Sequence, residues 1–346
     1  MRRLFLAVAI LFCMAIPVKA SEMTAPPVPQ MGQQYMPDNP ESFGEGLWTI
    51  LKTGIAALKP ELANACRICF QVAGIGLLLS FFQQFSGIAK QGIGVVTVLM
   101  LGCILLETGN SMIAVASETV QTISEYGKLL LPVMAATLAS QGGGASSAAL
   151  YASAAMFCGF LGNLISKIMI PGVYIFLALS IAGSAVENQK LDKMKELIKG
   201  LYTWTLKTLL SFFTGFLAIT GVVSGTTDAA AARLTKAAIS GMVPVVGGIL
   251  SEATESVLVG AGLVKNAAGV YGLLASLAVC IGPFLQIGMQ YLLLKITAAF
   301  CDLFAGKQVS GLLRDYSGGM GLLLGMTGAC TILLIISVIC FMKGVG

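Results

Sequence analysis

Between Met320 and Met342 no side chain carries a charge. A helix needs roughly 20 apolar residues to cross a hydrocarbon layer about 30 Å thick, and this run supplies them. Comparable runs recur at 65–82, 92–106, 148–166, 168–186, 201–223, 267–282 and 284–304. Water cannot solvate the surface of such a chain: 11% of its residues are charged, against about 25% in soluble domains. In lipid the backbone N–H and C=O groups have no solvent partner, so each crossing segment must close its own hydrogen bonds as a helix. The expected fold is therefore all-α. It is a polytopic α-helical membrane protein with a cleavable signal peptide, about seven to nine membrane segments and amphipathic interfacial helices. Glycine, at 41 of 346 residues, exceeds its usual share of about 7%. That excess suits close helix approach where lipid supplies no hydrophobic drive for association.

The same composition removes much chemistry. There is no histidine, so the commonest general base and metal ligand are gone. Cys103, Cys158, Cys280, Cys330 and Cys340 lie inside apolar runs, where cysteine behaves as a small hydrophobe. Cys66 and Cys69 form a C-x-x-C without a second pair or a βαβ context. No P-loop, dinucleotide fingerprint, zinc motif or nucleophile–base pair is present. No catalytic, cofactor-binding or metal residue is assigned. The net charge of +5 without a basic block does not suggest nucleic acid.

Residues 1–20 read as a secretory signal. Arg2 and Arg3 precede an apolar stretch, and cleavage is expected between Ala20 and Ser21. Residues 21–46 form an extracytoplasmic linker. Its proline-rich part, 21–40, is expected to be extended and poorly ordered. The membrane domain takes 47–346 and opens on a short amphipathic helix. Residues 111–128 are amphipathic, with Glu118 and Glu125 on the polar side. Residues 129–140 are short and contain Pro132, which predicts a shallow or re-entrant piece, and 141–147 a flexible turn. Residues 187–199, the most charged stretch, predict a surface helix on the bilayer. Lysine and arginine counts put that helix inside, the N-terminus and the central region outside, and Lys343 inside.

That central region, 224–266, is neither greasy enough to cross lipid nor polar enough for a simple loop. At about 100° per residue, Glu252, Glu255, Ser256 and Asn266 share one face. Two meanings stay open: an interfacial helix with its acids in water, or a face that lines an aqueous path or meets a partner. Within the spans, Lys295, Gln286 and Gln290 are the notable polar residues. Lys295 either snorkels while the glutamines bond a neighbouring helix, or the helix faces water in a channel or subunit gap. Three functions remain: a structural or channel component of an assembly, a small-solute transporter, and a lipid-modifying enzyme. The transporter would favour two related halves, and no convincing repeat is visible.

Residues 226–269 (TTDAAAARLTKAAISGMVPVVGGILSEATESVLVGAGLVKNAAG) and 128–151 (KLLLPVMAATLASQGGGASSAALY) resemble the stage III sporulation protein AE family. The resemblance implies a multi-pass protein of the mother-cell membrane around the forespore, its N-terminus extracytoplasmic after signal cleavage. It implies a channel or secretion-like complex with the other stage III A sporulation proteins. It also implies stage II sporulation protein Q as a partner across the intermembrane space, and insertion by a YidC-type insertase. A homo-oligomer is compatible with it. It brings no catalytic residue.

Overall fold

A computed structural model describes residues 25–37, 42–85, 90–140, 144–186, 188–219 and 267–343. The cleavage site at Ala20 and Ser21 and the central-region residues Glu252, Glu255, Ser256 and Asn266 lie outside the described residues. The described residues form α1 (Gln30–Gln33), α2 (Phe43–Phe85), α3 (Lys90–Ser140) and α4 (Gly144–Leu164). A π-turn, Ile165–Met169, joins α4 to α5 (Ile170–Val186). Then come α6 (Gln189–Ile219), α7 (Ala267–Phe304) and α8 (Lys307–Lys343). Five helical stretches among them are long and apolar enough to cross a membrane.

Runs that composition separates are joined by continuous backbone. The pieces 92–106, 111–128 and 129–140 are one helix, α3, whose 51 residues span roughly 77 Å at 1.5 Å per residue. The runs 148–166 and 168–186 join through the π-turn at Lys167. Pro60, Pro132 and Pro283 all lie inside helices. A proline costs a helix one N–H donor, and in a packed bundle neighbouring groups and small local adjustments absorb that loss. Residues 144–147 of the expected turn are helical. The described part of the run 201–223, up to Ile219, lies in α6, which is not among the five membrane-length stretches. α2 starts at Phe43 and runs through the 46/47 boundary.

α8 is the axis of the bundle. It packs on α3, α4, α5, α6 and α7, and 72% of its most apolar window is buried, against 29% for α2. Leu312, Leu313, Tyr316, Met320, Leu323, Met326, Leu333 and Val338 are wholly enclosed. At its start, Gly306 with φ +82° ends α7 and reverses the chain, a left-handed position that glycine adopts without steric cost. Ser80 of α2 donates to the carbonyl of Ala305 in that turn, at 2.7 Å. The helices alternate in direction, so the start of α7 and the end of α8 share one end of the bundle: Met342 lies against Gly269. The expected topology set the start of 267–304 and Lys343 on opposite sides, whereas Gly269 and Met342 lie at one end of the bundle. The reason is that 267–304 is one helix rather than two crossings.

The proline-rich segment also departs from expectation. Residues 25–37 dock on the bundle, with Val28, Gly32 and Tyr35 buried. A Cβ on Gly32 would stand 2.9 Å from the backbone nitrogen of Val279, so only glycine lets this strap lie so close to α7. Tyr35 sits against Gly282. The prolines do set extended geometry, but three small or apolar residues on one side give the segment a face to bury.

Candidate functional site

The strongest concentration of buried charge lies where the α5–α6 and α7–α8 turns meet. The first turn of α6 carries Asp192, and Lys195 follows three residues later, its side chain 8% exposed. The Lys195 ammonium bonds Asp192 Oδ1 at 2.8 Å and Asp315 Oδ2 of α8. Gly183 of α5 makes room for the pair, because Lys195 Nζ lies 3.3 Å from where its Cβ would be. Lys199, one turn on, reaches past Gly318. Burial pulls the Lys195 pKa down, but Asp192 and Asp315 outweigh it and hold the group above the ordinary lysine range. A lysine so held stays protonated and cannot act as a nucleophile. What it does is tie α6 to the central helix. The described part of the stretch 187–199 is a helix with Lys190, Asp192, Lys193, Glu196 and Lys199 exposed, and Lys195 alone of its described charged residues is buried, against Asp315.

Beside this knot a second pair closes the α7–α8 turn. Ser310 Oγ donates to Asp302 Oδ1 at 2.8 Å, and Arg314 Nη2 to Asp302 Oδ2 at 3.4 Å. Both charged side chains are about half exposed or more, so the ion pair contributes little on its own.

Of the polar residues singled out within the spans, Lys295 is exposed on α7, and its Nζ donates to the hydroxyl of Tyr291 at 3.2 Å. The ammonium also lies 5.5 Å from the centre of the Tyr291 ring. Gln286 is half-buried and Gln290 is buried, the latter with Nε2 lacking a partner among the described residues. Thr297 turns back on its own helix, donating to Leu293 O at 2.7 Å. Lys295 and Gln290 therefore point to different surroundings and do not build one site. No group of three or more His, Cys, Asp or Glu that could hold a metal ion occurs among the described residues. Cys66 and Cys69 are free thiols, Cys69 buried.

The sequence reading missed Lys195 with Asp315. One faint signal was available: Asp315 is the last charge before the longest apolar run, which places an acid at the mouth of the central helix.

The profile of the stage III sporulation protein AE family matches residues 39–344, which is nearly the whole bundle. The chain belongs to this family. It is 24% identical over 271 residues to stage III sporulation protein AE of Bacillus subtilis (strain 168), covering 78% of this chain and 67% of that protein. No solved structure matches. Membership of the stage III sporulation protein AE family makes the chain a sporulation protein, and its apolar helices give it a multi-pass membrane location.

Proposed function

We propose that this chain is a non-catalytic, integral component of a channel or secretion-like complex in the mother-cell membrane, connecting to the forespore. In this role it is needed for forespore development after engulfment. The observation that carries the reading is the family match, which covers residues 39–344 and with them all the membrane-length helices. The partners that fit the role are the other stage III A sporulation proteins and, across the intermembrane space, stage II sporulation protein Q. A YidC-type insertase fits the assembly of so apolar a chain. Glu252, Glu255, Ser256 and Asn266 are the proposed contact face.

A deletion strain followed by microscopy tests the role. The expected result is a stall after engulfment with normal vegetative growth. A growth defect tied to one solute would point instead to a small-solute transporter. Charge reversal at Glu252 and Glu255 is expected to reproduce the stall while protein level and membrane insertion stay intact, and normal spore yield would remove those residues from the contact face.

A further inference from the structure

The central helix α8 is enclosed by its neighbours except along one face. Half-buried Gly318, Gly321, Gly325, Gly328 and Ile332 lie on it, at intervals of three and four. α6 flanks that face on one side. Lys199 Nζ lies 4.0 Å from where a Cβ on Gly318 would be, and Leu206 lies 3.8 Å from that position on Gly325. α7 flanks it on the other, with Tyr291 3.4 Å from the position on Gly321 and Phe284 3.9 Å from that on Gly328. Both helices pack on α8 but not on one another. Between them runs a groove with a glycine floor, and among the described residues no helix covers it.

The glycines do not serve α6 or α7. All four gaps are ordinary van der Waals distances, so a methyl group would fit at each. Glycine costs a helix interior roughly 1 kcal/mol against alanine. What it permits is the close approach of another backbone. A row that the described neighbours do not use therefore points to a further segment.

Residues 220–266 join the two walls of this groove. α6 runs beside α8 in the same direction, Lys199 at Gly318 and Leu206 at Gly325, so the chain leaves Ile219 toward the Met342 end. α7 begins at that end, where Gly269 meets Met342. The joining segment thus starts and finishes at the mouth of the groove. Two helical legs of about 20 residues reach about 30 Å each, enough to pass Gly328, Gly325 and Gly321 and return. The sequence also supplies a surface that fits. At about 100° per residue, Leu250, Ala253, Val257, Ala261 and Val264 fall on one face, opposite Glu252, Glu255 and Asn266.

We infer that residues 250–264 dock in the groove between α6 and α7, with Ala253, Val257 and Ala261 over Gly321 and Gly325. The seat goes beyond the conduit reading, and it turns the Glu252–Glu255 face outward, free for a partner.

Thiol pairs in the full-length chain test it. Gly325→Cys, where a Cβ has room, is combined in turn with Ala253→Cys, Val257→Cys, Ala261→Cys and, on the opposite face, Glu255→Cys. Membranes are oxidised with copper phenanthroline. Linked peptides are quantified by mass spectrometry in the monomer and dimer bands of a non-reducing gel. Each single variant is run alongside, so that links to native thiols are subtracted. A disulfide needs Cβ atoms about 4 Å apart, so the best apolar-face pair is expected to link in the monomer band at least about fivefold more than the Glu255 pair. A smaller ratio, no link, or links confined to the dimer band, which would give the groove to a second copy, overturns the seat. Gly325→Leu supplies a second reading, because its side chain fills the floor. Proteolysis follows the population of open chain, so trypsin cleavage at Arg233, Lys236 and Lys265 in detergent is expected to rise at least about fivefold. Unchanged cleavage also overturns the seat. Sporulation of the same strains reads the conduit role separately, so the two can fail independently.

Discussion

At the level of Ser124 and Cys158 the bundle has two unlike flanks. On the α4–α6 flank, Phe157 packs on Phe212, Phe213 and Phe216 with ring centroids 5.9, 5.0 and 6.3 Å apart, and Met156, Phe160 and Phe212 are exposed beside Asn163 and Ser211. On the α3 flank Glu118, Gln121, Glu125 and Lys128 are exposed, with Leu129 beside them. Both flanks rest on the same central helix, so the difference does not come from the core. It comes from what each helix is asked to face. The lesson is that average apolarity places a chain in a membrane, whereas the direction of each outward residue says which side of it meets lipid.

The largest effect should come from reversing the contrast. The double variant Met156→Glu/Phe160→Glu puts two charges on the lipid flank, at roughly 3 kcal/mol each near a bilayer centre. It is expected to lose its membrane-inserted, monodisperse form, as read by detergent size-exclusion profiles of tagged protein. Ala114→Glu adds the same charge on the α3 flank and should stay within about 0.5 kcal/mol of the parent. Equal damage from the two would erase the distinction between the flanks.

A smaller effect is expected inside, at the knot of Lys195. Lys195→Met leaves Asp315 without its bonded cation, with only the more distant Lys199 nearby, and breaking such a pair costs about 3 kcal/mol when both ends are buried. Asp315 is 26% exposed, so the loss should fall toward about 2 kcal/mol. Lys195→Met/Asp315→Leu, which removes both charges, should recover most of it. Thermal unfolding in detergent compares the three chains, and a double variant worse than the single would mean that the charges do more than pair.

The smallest effect is steric. The Tyr202 hydroxyl occupies the space that a Cβ on Gly172 would take and approaches Ile168 O of the π-turn at 3.5 Å. Gly172→Val should push Tyr202 aside at about 1–2 kcal/mol, lowering the unfolding temperature in detergent; an unchanged temperature would show that Tyr202 moves away without cost.

The apolar runs and the polar side of 111–128 were legible because each is a local pattern. Where one helix ends and the next begins was less so. Lys167, Pro132 and Pro283 look like breaks in a sequence, yet neighbouring helices support the backbone through all three. Lys195 and Asp315 are 120 residues apart, and no periodicity links them. The strap at 25–37 depends on Gly32 meeting Val279, a contact that composition masks under five nearby prolines.

The position of α8 has a consequence for how the protein is made. Among the described helices, the one that fills the axis leaves the ribosome after all the others. Every earlier helix enters the bilayer before its central neighbour exists, with an inner surface that has nothing to rest on. Chains cut short before Lys307 would therefore lose far more than one segment: the staves would remain without the post they were shaped to surround.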